Sequence, residues 1–390
     1  MSKSKHMISP LTLVSALVAP AIGFAHPDLE VFHPNTFAEQ PVTVDCTLEN
    51  GTAAVCYEIE VNYQPAGVNI GPFCPTTVAD KGGIWDWTGE NSKLYRVDET
   101  FLRMLADLGY RFFDDDGAVH TVDIATERPA ADHACINVSP DDTVKITMRL
   151  PVTPLVAETP SDLVVVSKIG VALDGAPIFS DAPSIQDTGH MPALDTCGGH
   201  IDPGGWYHWH ATSTDIETVF AKENVIADCA LTQDSSAQFG YAFDGFPMFG
   251  SREMGGAIPT NLDACGGHVG QTILGTIYHY HASEGFPNLP PCLVGVQAQD
   301  NFSTTAQTGI GAVRIADDTG SEQRRPDNGG PRGIPPGFDE AAATLGVTTE
   351  ELMRALENPQ GGRPDLAKAA KTLSVSESRL REILPPPPGQ

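Results

Sequence analysis

Positive charge is scarce in this chain. Twenty-three lysines and arginines stand against 50 aspartates and glutamates, a formal net charge of −27. Phosphate recognition needs a basic face, so the balance argues against nucleic acid as a partner, and against an anionic membrane surface. Long apolar runs are missing as well. Leu11 to Ile22 is too short to cross a bilayer, and nothing later is long enough. Several catalytic words are absent: no Gly-x-Ser-x-Gly elbow, no phosphate-binding Walker loop, no His-Glu-x-x-His. No Cys-x-x-Cys pair occurs, which weighs against a thiolate zinc site.

What is abundant is turn chemistry. Thirty-eight glycines and 32 prolines, with only 19% charged residues, fit a turn-rich β protein better than a helical bundle. The expected fold is mainly β and disulfide-bonded, with a duplicated His-rich β-domain and a small C-terminal helical module.

Residues 1–25 read as a signal peptide. Lys3 and Lys5 precede the apolar run, and Gly23-Phe24-Ala25 is a small-x-small cleavage site. This predicts a periplasmic or extracellular protein with His26 at its new terminus, where a free amine and imidazole can brace copper with His33, His120 or His133. The eight cysteines, Cys46, Cys56, Cys74, Cys135, Cys197, Cys229, Cys265 and Cys292, are then disulfide candidates. Cys46 and Cys56 flank Asn50-Gly51, a type I′ hairpin signal that predicts their pairing.

Residues 26–160 form a β-rich region, with strand character at 42–44, 56–61 and 144–150. One helix interrupts it, capped by Asp98, carrying Phe101, Met104, Leu105 and Leu108 on one face, and ended by Gly109. Trp85-Asp86-Trp87 and Asp114 to Gly117 are assigned to turns. Residues 319–337 are a Pro/Gly-rich linker. Residues 338–385 switch to a helical period in two similar copies and read as a protein-interaction module, and 386–390 are a tail.

Residues 161–318 contain matched words in matched order. Lys168 to Ser180 parallels Gln238 to Gly250, sharing Gly170/Gly240, Asp174/Asp244, Gly175/Gly245, Pro177/Pro247 and Phe179/Phe249. Leu194-Asp-Thr-Cys-Gly-Gly-His200 parallels Leu262-Asp-Ala-Cys-Gly-Gly-His268. Tyr207-His208-Trp209-His210 parallels Tyr278-His279-Tyr280-His281, and a lone cysteine follows each block. One disulfide per repeat, Cys197–Cys229 and Cys265–Cys292, is the natural expectation, with crossed pairing left open.

Strand residues i and i+2 share a face, so His208 and His210 point one way, as do His279 and His281. The Gly-Gly turns bring His200 and His268 close. His200, His208, His210, His268, His279 and His281 are thus candidate metal ligands. Three neutral imidazoles suit copper or zinc and leave a coordination position open. Two separate centres or one shared centre, with His208 and His279 together, both fit the pattern. Asp195 and Asp263 are candidate partners for fixing an imidazole tautomer. Asp174 and Asp244 are candidate acid/base groups for a zinc hydrolase.

At the Cys-Gly-Gly-His and Tyr-His-x-His words, over about 161–300, the chain resembles the YHYH-domain family of exported proteins. The second copy matches the name word fully; the first has Trp209 in place of a tyrosine. Asn69 to Pro75 and Gly83 to Trp87 look like further words of that family. The resemblance implies export and brings no named reaction. Together these readings predict an exported protein that binds copper or zinc, for metal handling or redox chemistry. The rival classes are a secreted binding module with hydrogen-bonded core histidines, and a zinc-dependent hydrolase.

Overall fold

A computed structural model describes residues 26–313 and positions scattered between 341 and 380. The signal segment and the linker lie outside the described residues. The described part is mainly β. An eight-stranded sheet forms its centre, running in the order 199–201, 207–209, 177–179, 168–172, 238–242, 247–249, 275–281 and 267–272. The order is symmetric in the matched words. At the midline, Lys168–Ala172 pairs antiparallel with Gln238–Ala242, with Gly170 opposite Ala242, Val171 opposite Tyr241 and Ala172 opposite Gly240. Each residue therefore faces the counterpart of its mirror position, with Val171 and Tyr241 at the centre of the pairing.

Within each half the local chemistry is the same. Asp174-Gly175 and Asp244-Gly245 turn the chain between two antiparallel strands. Gly175 and Gly245 have φ of 91° and 90°, the left-handed region that a side chain would strain. The outgoing strand then pairs parallel with the Tyr-His-x-His strand: Ile178 with Trp209, and Met248 with Tyr280. That strand in turn pairs antiparallel with its Gly-Gly-His strand.

A four-stranded sheet of Val42–Thr47, Ala53–Asn62, Lys145–Pro151 and Phe302–Thr304 packs alongside. Its Ile59, Val61, Ile146, Met148 and Leu150 share one apolar cluster with Val171, Phe179, Trp206, Tyr241 and Phe243 of the central part. A second cluster joins Tyr207, Trp209, Phe246 and Tyr280 to Ile169 and Ile178. The helix Glu99–Asp107 is capped by Asp98, whose carboxylate accepts from Phe101 N at 3.2 Å. Among the C-terminal positions, Ala341, Leu352, Leu356, Ala369, Ala370 and Leu380 pack together. No helix among the described residues is long and apolar enough to cross a membrane.

Two local expectations need correction. Ile84–Trp87 is a strand, paired with Lys93–Arg96, rather than a turn. The two tryptophans are buried on its inner side, so aromatic packing outweighs the turn preference of Asp86. The Cys46–Cys56 hairpin turns through Leu48 to Gly51, and only Gly51 has positive φ there. A type I turn closing on a left-handed glycine therefore replaces the type I′ turn. Asp114 to Gly117 is a turn, closed by Gly117 N donating to Asp114 O.

Four disulfides link Cys46–Cys56, Cys74–Cys135, Cys197–Cys229 and Cys265–Cys292, leaving no free cysteine. Each of the matched blocks holds its own bridge.

Candidate metal centres

The Leu-Asp-x-Cys-Gly-Gly-His word builds a rigid corner. Asp195 Oδ1 accepts the N–H groups of Cys197 and Gly199 at 3.0 and 3.2 Å, and Asp263 Oδ1 those of Cys265 and Gly267 at 2.9 and 3.1 Å. Gly198 and Gly266 turn left-handed, at φ 92° and 76°. The second glycine serves a different need. A Cβ on Gly199 would fall 2.2 Å from the Tyr207 hydroxyl, and one on Gly267 2.1 Å from that of Tyr278. Across this gap Tyr207 donates to Asp195 Oδ2 at 2.7 Å, and Tyr278 to Asp263 Oδ2 at 2.8 Å.

The other aromatic of each strand is tied in the same way. Trp209 Nε1 donates to Asp174 Oδ2 at 3.2 Å, and Tyr280 Oη to Asp244 Oδ2 at 2.5 Å. The non-histidine face of both Tyr-His-x-His strands is thus anchored by aspartates. Burial raises Asp195 and Asp244 to about 6, with the donated hydrogen bonds pulling the other way.

The opposite face carries the imidazoles. His200 sits directly across from His208, and His268 from His279. His210 and His281 follow two residues on, held by their own N–H groups donating to Gly198 O and Gly266 O. In the first set the three Nε2 atoms form a near-equilateral triangle: 3.1 Å from His200 to His208, 3.0 Å from His208 to His210, 3.1 Å from His210 to His200. In the second set His279 and His281 are 3.0 Å apart at Nε2. Glu253 joins them, with Oε1 3.2 Å from His268 Nε2 and Oε2 3.8 Å from His281 Nε2.

The outward ring nitrogens face backbone carbonyls. His210 Nδ1 meets Ser180 O, His268 Nδ1 meets Thr260 O at 3.0 Å, His279 Nδ1 meets Ile277 O at 3.1 Å, and His281 Nδ1 meets Gly250 O at 2.7 Å. The Pro192 carbonyl binds His200. His208 Nδ1 is buried without a hydrogen bond of good geometry, although the Trp206 carbonyl lies close enough to favour a proton there. A carbonyl only accepts, so His210, His268, His279 and His281 carry their proton at Nδ1 and leave Nε2 as a bare lone pair. Burial is also the main force against a second proton. It pushes His210 and His279 down to about 4, and His200 and His208 well below the ordinary histidine range, with neighbouring imidazoles adding to it for all but His210. His281 shifts down for the same first cause.

The six expected histidines are therefore brought together as two triads, not one shared centre. Four strands separate the Tyr207–Trp209 strand from Gly275–His281, about 24 Å along the sheet at ordinary strand spacing. Asp195 and Asp263 do not serve as imidazole partners: both carboxylates are committed to the corner and its tyrosine, and backbone carbonyls fix the tautomers instead. Asp174 and Asp244 are likewise anchors on the far face, unavailable as acid/base groups at the imidazoles. His26 and His33 are exposed, His120 bridges Asp114 and the His133 carbonyl, and none joins a ligand cluster among the described residues. Glu253 escaped the sequence reading. Its position, four residues after Phe249, corresponds to Pro183 in the first copy, so no repeat marks it.

Both groups, His200/His208/His210 and Glu253/His268/His279/His281, can hold a metal ion. Residues 147–258 match the family model described as YHYH protein. The matched stretch contains the whole first triad and Glu253, and ends before His268, His279 and His281. No curated protein and no solved structure matches this chain.

Proposed function

We propose that the protein is exported and binds a transition metal, copper or zinc, in each of its two histidine centres. The observation that carries this reading is the convergence of the inner ring nitrogens. Backbone carbonyls hold His200 and His210 from outside, and the three Nε2 atoms converge at 3.0–3.1 Å in the first triad. Lone pairs at that distance repel, and burial disfavours the proton that would relieve them. A metal cation bound by all three relieves the conflict. An ion about 2.0–2.1 Å from each nitrogen fits just above such a triangle, with room for a further ligand.

The rival reading, histidines that serve only as core hydrogen-bonding residues, accounts for the outer nitrogens and leaves the inner ones unexplained. Oxidising export fits the four disulfides and the cleavage pattern of residues 1–25. The chain's negative charge draws cations toward it. When bound, zinc supplies Lewis acidity and copper a one-electron couple. The chain's own part is to hold the lone pairs aligned, through the anchored tyrosine face, and to keep the rings neutral. This supports metal handling or redox chemistry over hydrolysis, because the aspartates that a hydrolase would use are turned away.

Untagged protein purified from its native compartment should carry copper or zinc by elemental analysis, approaching two ions per chain. His208→Ala should remove one ion and His279→Ala the other, each leaving a recognisable cooperative melt. Protein with no stoichiometric copper, zinc or iron, which takes none up at neutral pH, overturns the reading.

A further inference from the structure

The two centres present the same number of imidazoles but not the same charge. Glu253 reaches the second triad with Oε1 3.2 Å from His268 Nε2 and Oε2 3.8 Å from His281 Nε2. Its neighbour Arg252 turns instead to Glu284 and to the Ser251 carbonyl. Four donors at about 2.0–2.1 Å around a tetrahedral ion stand about 3.3–3.4 Å apart. The two Glu253 separations, with the 3.0 Å between His279 and His281, lie on either side of that spacing. The second group is thus a four-donor set that carries one negative charge.

The first group, His200, His208 and His210, has three donors and no carboxylate. Acids that lie nearby in the chain face elsewhere. Asp202 accepts from the N–H groups of Gly204 and Ile310 at 2.7 and 3.3 Å. Asp181, next to the Ser180 carbonyl that meets His210, accepts from Ala182 N at 2.8 Å. His208 and His210 are buried, and the Trp206 and Phe179 rings lie 5.0 and 5.1 Å from the His208 ring. The cost of taking an ion out of water grows with the square of its charge. A divalent ion on three neutral imidazoles leaves a double charge inside this aromatic shell, and a monovalent ion leaves a single one. At the second centre Glu253 brings a divalent ion down to that same single charge.

We infer that the two centres select ions of different charge: the His200 centre takes copper(I), and the Glu253 centre takes a divalent ion, zinc(II), with Glu253 as the residue that discriminates between them. Coordination number points the same way. Copper(I) is satisfied by three donors, whereas zinc(II) completes four. Copper at the first centre should also resist oxidation, because copper(II) would restore the double charge that the shell disfavours. The inference rests on the metal-binding reading and deepens it by naming the ion of each centre.

The test uses the full chain, with bathocuproine disulfonate competing for copper(I) in anaerobic ascorbate and a chromogenic chelator competing for zinc(II). Given one equivalent of each, the chain should hold both. His208→Ala with His210→Ala should release the copper(I) and keep the zinc(II), and His279→Ala with His281→Ala should do the reverse. Glu253→Gln keeps the shape of the side chain and removes its charge. In the otherwise unaltered chain it should weaken zinc(II) binding on the order of thirty-fold and leave copper(I) unmoved. A Glu253→Gln chain in which both ions weaken alike, or neither does, overturns the inference, because a carboxylate that only braces the turn does not tell one ion from the other. Equal zinc(II) affinity at the two centres overturns it as well. Each of these results leaves metal binding intact. A chain that binds neither copper(I) nor zinc(II) overturns both readings.

Discussion

Tyr207 and Tyr278 show how a residue far from the lone pairs governs them. Each hydroxyl passes over a glycine to a carboxylate, buried at Asp195 and exposed at Asp263, and that carboxylate holds the turn from which the third histidine projects. Tyr207→Phe removes the donor and leaves Asp195 short of a partner, which costs about 1–3 kcal/mol. The expected outcome is a lower melting temperature together with weaker metal retention at the first centre and unchanged retention at the second. A variant that melts lower but holds both ions equally well would deny Tyr207 its positioning role. The histidines themselves predict a pH response of the metal-free protein. His210 is held near 4 in the fold and titrates near 6.5 when unfolded. Above about 6.5 neither state takes the proton. Between about 6.5 and 4 the unfolded chain binds it and the fold does not, so stability falls with pH by on the order of 3 kcal/mol for this ring. The buried carboxylates act with the opposite sign: Asp195, Asp202 and Asp244, raised to about 6, 7 and 6, take protons first in the fold. The histidine contribution is therefore read as a difference. In chelator, the melting-temperature gap between wild type and His210→Gln should change in the variant's favour from pH 7 to pH 4.5, and parallel curves would deny it. The roles of Asp195 and Asp263 were not legible in the sequence, because a tyrosine 12 or 15 residues away claims each carboxylate only once two strands pair.

At the scale of elements, much was legible. A period of two placed His208 with His210 and His279 with His281, and cross-strand pairing then set His200 and His268 opposite them. The Gly-Gly words marked the corners, although their second glycine answers to a tyrosine hydroxyl that no spacing reveals. Asp98 marked its helix because capping is local chemistry. Trp85 to Trp87 misled because a charged residue between two aromatics reads as exposed, while here it belongs to a short strand whose tryptophans face the core. Glu253 was invisible for the converse reason. It comes from a turn outside every matched word, and it reaches the second triad only because the strand before it lies parallel to Gly275–His281. Local rules thus revealed the ligands that the repeat shares, and tertiary pairing supplied the ligand that makes one centre unlike the other.

Across the whole molecule, the symmetric sheet separates the centres, and the rest of the chain packs unevenly around it. The region before residue 160 is joined to the sheet by a common core: Ile59, Ile146 and Leu150 share a cluster with Val171, Phe179 and Trp206, and Trp206 in turn lies against His208. Phe302–Thr304 closes the four-stranded sheet by pairing with Lys145–Pro151, so the chain returns to this region after the central sheet is complete. The C-terminal positions instead gather in their own cluster of Ala341, Leu352, Leu356, Ala369, Ala370 and Leu380. Between the two parts, residues 319–337 are rich in proline and glycine, the composition of a boundary that few contacts cross. The two ends should therefore respond differently to removal. A chain ending at Gly320 should keep a single cooperative melt and its full metal content, because the core that supports both triads is complete before that point. Deleting 26–160 should abolish the cooperative melt and the binding of metal at the first centre, because it strips one side of the cluster on which Phe179 and Trp206 rest. Calorimetry with elemental analysis on the two truncated chains checks both. Loss of the transition on cutting at Gly320 would show that the C-terminal helices belong to the same folding unit as the sheet.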